Sequence, residues 1–254
     1  MSFDRIYNLA TVTFKELRRS RILFLVLFFA FVVVVLSAFF GAVAIGDQIK
    51  IIKDFGLFCI SIFASLFCVI SGASLLEKEL SRKTIYNILG KAVHRYEFIL
   101  GKFFGMAAVA VVLVIAMGIS LTGYVALFDG KVSLPLIQAI YFVMLEVVFV
   151  AAAAIFFSSL VVTPLLNGLF TISLFLAGRS ASYVLQLAEN LQIPAIKGLY
   201  WILPHLDMLY VANTAVYEIL QPFSFMVSAT LYIILYATTL LALSVLSFES
   251  RQLN

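Results

Sequence analysis

Residues 76–102, LEKELSRKTIYNILGKAVHRYEFILGK, are the one polar interval long enough to form a cytosolic element in an otherwise apolar chain. The interval carries six basic residues (Lys78, Arg82, Lys83, Lys91, Arg95, Lys102) and three acids (Glu77, Glu79, Glu97), and on each side stands an uncharged run long enough to cross a bilayer. Lysine and arginine collect in the loops that stay on the cytosolic side of a membrane, so this loop is expected there. Within it Leu80, Ile85, Ile88 and Leu89 recur at near-helical spacing between charged residues, and Gly90 follows as a helix stop would. An ordered amphipathic helix clamped between two spans is a surface for a soluble partner.

Composition sets the class. Of 254 residues, 64% are hydrophobic and only 12% charged, against roughly 45–50% and about 25% in globular domains. The expected fold is therefore all-α: a polytopic integral membrane protein. The formal charge of +4 comes from 17 basic and 13 acidic side chains. The basic residues cluster where membrane topology would put them, so no nucleic-acid partner is indicated. Cys59 and Cys68 lie nine residues apart in one apolar run, too far along a helix axis to bridge each other. Charges occupy the first 21 residues and a long apolar run follows without a small-residue cleavage signal. That run is expected to be a retained span.

Outward from the loop, residues 1–254 read as a single transmembrane domain. In residues 1–21, Phe3, Ile6, Ala10, Phe14 and Leu17 form one helical stripe, and Arg18, Arg19 and Arg21 follow. This predicts an interfacial amphipathic helix held at the anionic cytosolic face. Residues 22–76 supply spans one (Ile22 to Ile45) and two (Phe55 to Leu76), joined by a short polar crossing from Asp47 to Asp54. Residues 77–102 are the cytosolic loop. Residues 103–188 supply span three (Phe103 to Phe128), a tight turn at Asp129-Gly130-Lys131, span four (Leu134 to Val161), a turn at Thr163-Pro164, and span five (Leu165 to about Ala188). A proline both disfavours helix before it and starts the next one well. Residues 189–222 form an extracytosolic interval, and residues 223–254 hold span six (Phe223 to Phe248) and a cytosolic tail. Six spans put both termini on one side. Cytosolic segments then hold twelve Lys/Arg and extracytosolic segments four, which supports cytosolic N- and C-termini.

In the external interval Tyr200, Trp201, Tyr210 and Tyr217 are amphipathic aromatics of the kind enriched at membrane interfaces, and Pro194, Pro204 and Pro222 divide it into short pieces. With Pro204 they mark an external interface of short surface helices. Gating and anchoring are both open to it. His205 and Asp207 are two residues apart, but without a third ligand a hydrated loop is the simpler reading, and no metal site is expected. Glu146 lies 16 residues above Val162 in span four and Arg179 lies 15 above Pro164 in span five. At ~1.5 Å per residue both stand roughly 23 Å above the same turn. They are expected either to pin the two spans as a salt bridge or to line a polar path. Ala151 to Ala154, Ser158, Ser159, Gly101, Gly105 and Gly118 offer small residues for close helix packing. No phosphate-cradling Gly-rich loop, HExxH or nucleophile-base grouping is present, so no catalytic residues are assigned and the chain is not expected to be an enzyme by itself.

The run Glu77, Glu79, Thr84-Ile85, Leu89, Lys91, Val93, Arg95, Leu100-Gly101-Lys102 resembles the stretch between the second and third spans of ATP-binding-cassette (ABC) permeases of the ABC-2 type. Similar features extend along the chain: Glu16 to Arg19 in the first helix, Ser158-Ser159 and Pro164 at the turn between spans four and five, and Leu203-Pro204 before span six. Among its branches it looks most like the permeases grouped with the nitrous-oxide-reductase maturation transporter. Two positions depart from the family pattern: Ala92 stands where Pro is usual and His94 where Ser is frequent. The resemblance implies that the loop is a coupling helix seated on a separate ATPase subunit, with Glu77, Glu79, Arg82, Lys83, Thr84, Ile85, Ile88 and Leu89 as its contact surface. It further implies export, a second permease in a homodimer or in a heterodimer with a similar permease, no cofactor in this chain but ATP and Mg on the partner, and a bacterial or archaeal cell (inner) membrane. Membrane lipid is a further partner, and an extracytosolic protein is possible. The alternative from another class is a membrane adaptor that transmits ATPase motion to an extracytosolic partner without moving a solute.

Overall fold

The computed structural model describes residues 2–20, 23–24, 28, 48–81, 94–160, 163–191, 198, 200–201 and 203–250; the side chains of 2–3, 76–81, 189–191 and 249–250 lie outside that description. Among the described residues every regular element is helical. In chain order they are α1 (Ser2–Arg18), α2 (Gln48–Ser81), α3 (Arg95–Asp129), α4 (Leu134–Leu160), α5 (Pro164–Arg179), α6 (Ala181–Leu191), a 3-10 turn (Asp207–Leu209), α7 (Ala212–Val216) and α8 (Phe223–Ser250).

Four of them, α2, α3, α4 and α8, are each long and apolar enough to cross a membrane. A fifth crossing is made if α5 and α6 count together. This is the build of a membrane-embedded protein. Of expected span one, residues 23–24 and 28 alone fall among the described residues.

The bundle is built round α4. Its sequence is apolar on every side, as a helix surrounded by other helices must be, and α2, α3, α5, α7 and α8 all pack on it. Ala151 to Ala154 are buried where α2 crosses, and a side chain at Gly72 of α2 would collide with the Ala154 methyl. Small residues here let the backbones approach, which is how helices gain contact in lipid.

Several boundaries differ from those expected. α2 begins at Gln48 and runs to Ser81, so the polar crossing before span two and the first acidic residues of the loop, Glu77 and Glu79, are helical. Likewise α3 starts at Arg95, absorbing the last eight residues of the predicted loop. The physical reason is local. Glu97 accepts a hydrogen bond from the His94 backbone N–H at 3.0 Å and so satisfies a donor left open at the helix start.

Span five is not one rod. α5 and α6 are bent by 60° at Ser180. At ~1.5 Å per residue, α5 is about 24 Å long, short of the ~30 Å apolar core of a bilayer. The bend is fixed by what packs on it, because Leu206 donates its N–H to the Gly178 carbonyl at 3.1 Å and a side chain at Gly178 would strike the Pro204 carbonyl.

Candidate functional site

Two polar clusters interrupt the apolar bundle. One, outer in the topology expected from the sequence, is centred on Arg179, in the last turn of α5, where a cation also opposes the negative end of the helix dipole. Its Nη1 donates to Glu146 Oε1 at 2.8 Å and to Ser61 Oγ at 2.6 Å, and Ser61 donates in turn to Glu146 Oε2 at 2.7 Å. The three side chains close a ring across α2, α4 and α5. Glu146 is buried and Arg179 partly buried. Such short charge-assisted bonds offset the large cost of holding both charges away from water.

The ring is covered from outside by Tyr210. Its phenyl face lies 4.0 Å from the Arg179 guanidinium carbon, and its hydroxyl donates to Asp54 Oδ1 at 3.4 Å. Burial, then the adjacent Asp54 carboxylate, push the Tyr210 phenol above its ordinary value. It therefore stays protonated and remains a donor.

The chain that carries Tyr210 is tied down along its length. The His205 N–H donates to Tyr232 Oη on α8 at 2.9 Å, and the His205 ring stacks edge-on against Tyr200. Gln138 on α4 accepts from the Gln221 N–H at 3.0 Å. Glu218 reaches Lys53 on α2 at 3.0 Å.

Thus the interval holding His205 and Asp207 is a packed segment, not the open hydrated loop expected. Leu206, Leu209, Ala212 and Ala215 are buried in the bundle, because an apolar residue recurs there at helical spacing. Pro204 is buried, Tyr200 and Tyr210 half-buried, and Trp201 exposed. Among the described residues no group of three potential metal ligands occurs.

The inner cluster lies where α3 begins. Arg5 on α1 approaches Glu97 at 3.6 Å and Glu16 on α1 approaches Lys102 at 3.8 Å. Arg95 donates to the Phe248 carbonyl of α8 at 2.9 Å, and Phe98 stacks on Phe248. Close approach of α1 to α3 depends on Gly101 and Gly105. A Cβ at the first would stand 2.5 Å from the Leu9 Cβ, and one at the second 2.7 Å from the Ala10 carbonyl oxygen. The stripe that faces α3 therefore includes Ile6, Leu9, Ala10, Thr13 and Leu17.

Of the expected contact surface, Glu77 and Glu79 lie in α2 with their side chains outside the description, and Arg82, Lys83, Thr84, Ile85, Ile88 and Leu89 lie outside the described residues. Glu146 and Arg179 are brought together, and the partners that sequence reasoning missed are Ser61, Asp54, Tyr210 and the Lys53–Glu218 pair. A signal for two of them existed. Asp54 and Ser61 are seven residues apart, so they share one face of α2 inside an apolar run.

No protein-family model matches the chain, and no curated protein sequence matches it.

Proposed function

We propose that this chain is the membrane subunit of an ABC transporter of the ABC-2 type, with six spans and cytosolic termini, coupling ATP hydrolysis by a separate ATPase subunit to export of a substrate. In this reading residues 82–93 carry the coupling helix, two copies enclose the path, and the protein resides in a bacterial or archaeal cell membrane.

One observation carries the reading. The loop feeds at His94 directly into a helix whose first two turns are fastened to both α1 and α8 by Arg5–Glu97, Glu16–Lys102 and Arg95–Phe248. A push on the loop would reach three helices at once. Energy must arrive in this mechanical form, since the sequence holds no phosphate-cradling loop of its own.

The test is co-purification from membranes of the intact protein and of Thr84→Arg plus Ile88→Glu, scored for a bound ATPase subunit and vanadate-sensitive ATP hydrolysis. The expected outcome is that the intact chain brings down an ATPase and the double variant inserts normally but loses it. Retention of the ATPase by the variant, or its absence from the intact preparation under mild conditions, would sink the coupling role.

A further inference from the structure

We infer that the end of the bundle where α2 begins holds a binding site for a zwitterion, with an oxyanion seated on Lys53 and an ammonium group on the carboxylates of Asp129 and Glu218. A cavity of about 540 Å³ opens there between α2, the end of α3 and the turn after α7, within the ~300–1,000 Å³ range of small-ligand sites. Gln48, Lys50 and Lys53 line it from α2, Phe128 and Asp129 from α3, and Glu218 from the turn.

Lys53 is the decisive side chain. It is only 2% exposed, yet its ammonium has three protons to donate, and among the described residues its hydrogen-bond partner is Glu218 alone. With one proton engaged by Glu218, the ammonium has further protons to donate to an oxyanion in the cavity. Lys50, over the Tyr217 ring at 5.7 Å, adds a second cation on the same wall.

The same cavity also carries two carboxylates, Asp129 and Glu218. Asp129 ends α3, where the helix dipole is negative and a cation is favoured. It has no hydrogen bond or ion pair among the described residues. Asp129 and Glu218 also line a neighbouring cavity of about 320 Å³, so their carboxylates stand on the wall between the two. Glu218 is held there with φ 55°, a left-handed backbone that a non-glycine residue seldom adopts. Cations and carboxylates gathered in one cavity fit a ligand that carries both charges.

A phosphoethanolamine group has this chemistry, either on an outer-leaflet lipid or as a soluble compound. The site does not depend on an ATPase, so it can fail while the transport reading stands, and the reverse. The experiment uses the full chain in detergent. Glycerophosphoethanolamine, glycerophosphate and ethanolamine are titrated by calorimetry. In parallel, lipid retained after incubation with phosphatidylethanolamine or phosphatidylglycerol vesicles is counted by native mass spectrometry.

The zwitterion is expected to bind at least about tenfold more tightly than either single-charge fragment, and Lys53→Met to weaken it by about tenfold. Lys53→Arg should retain binding. Asp129→Asn, an exposed position that leaves the fold unstrained, should remove the preference of zwitterion over glycerophosphate. Retention of the lipid without binding of the soluble compound assigns the site to a membrane lipid, and binding of both admits a free zwitterion. Equal binding of glycerophosphate and glycerophosphoethanolamine would overturn the inference, as would unchanged binding in both Lys53→Met and Asp129→Asn, or no binding from either source.

Discussion

The two ends of the bundle handle charge in opposite ways. At the outer end, Arg179, Glu146 and Ser61 meet at 2.6–2.8 Å, with Glu146 and Ser61 shut away from water and Arg179 only 16% exposed. At the inner end, Glu97 and Lys102 are equally buried, but their partners Arg5 and Glu16 are 35% and 46% exposed and stand 3.6 and 3.8 Å away. Short enclosed contacts resist rearrangement; longer ones with a solvated partner can lengthen and re-form at little cost. The inner junction is therefore the end of the bundle that can yield, and the Arg179 ring the end that holds.

The largest effect should come from breaking the outer ring. Glu146→Gln leaves a buried guanidinium without its counter-charge, a loss of about 3–5 kcal/mol. In a chain of this size that lowers the unfolding midpoint by roughly 10 °C. Glu146→Gln combined with Arg179→Gln should recover part of it, because no lone charge remains. Equal midpoints for the single and double variants would show that the ring is not a coupled unit.

Next comes the inner packing. In Gly105→Val the new Cβ would press on the Thr13 side chain and on the Ala10 carbonyl, which is backbone and cannot swing aside. Overpacking of this kind costs about 1–3 kcal/mol. It should also lift α1 from α3, read as faster proteolysis within residues 2–20. If α1 stays protected, the contact is not what holds the inner junction together.

These two sites also mark how far the sequence could be read. Glu146 and Arg179 stood out because ionisable residues in apolar runs are rare, and counting helical rise from a shared turn put them level. The long apolar runs and the turns at Asp129-Gly130 and Thr163-Pro164 were equally plain. What stayed hidden depended on packing between distant segments. Nothing local says that Tyr210 lies on Arg179, 31 residues away in sequence. Nor could hydropathy show the bend at Ser180, since α5 and α6 are both apolar and the break is held by Pro204 and Leu206 from a later segment. Charge marks where water is expected and not where a helix ends, so the sequence did not show that α2 and α3 continue as helices into the charged interval.

A smaller effect tests the cover over the ring. Tyr210→Ala removes a face-on aromatic contact to a guanidinium, worth about 1–2 kcal/mol when enclosed. Tyr210→Phe removes only the bond to Asp54 and should cost about 0.5 kcal/mol. The sign of the pH dependence follows from the raised phenol. The folded chain holds this proton more tightly than the unfolded chain does, so its contribution is fully present below the ordinary phenol range and falls as pH rises through the raised value. Wild type and Tyr210→Phe should therefore keep a constant difference in midpoint from pH 6 to about 9. A difference that grows or vanishes across that interval would mean that another group governs the cover.

The smallest effect separates the two ends most cleanly. Glu16→Gln removes the half-exposed partner of Lys102, and a contact of this length with one solvated member is worth no more than about 1 kcal/mol. Salt decides whether that estimate describes the right kind of interaction. At 1 M salt the screening length is about 3 Å, so a pair reached by solvent loses most of its attraction, whereas one sealed inside the bundle does not. The gap in midpoint between wild type and Glu16→Gln should close between 0.1 and 1 M sodium chloride, while the gap for Glu146→Gln persists. If both persist, the inner cluster is as enclosed as the outer one and the contrast between a yielding inner end and a fixed outer end is lost. If both close, water reaches Arg179, and the ring under Tyr210 is part of an open path.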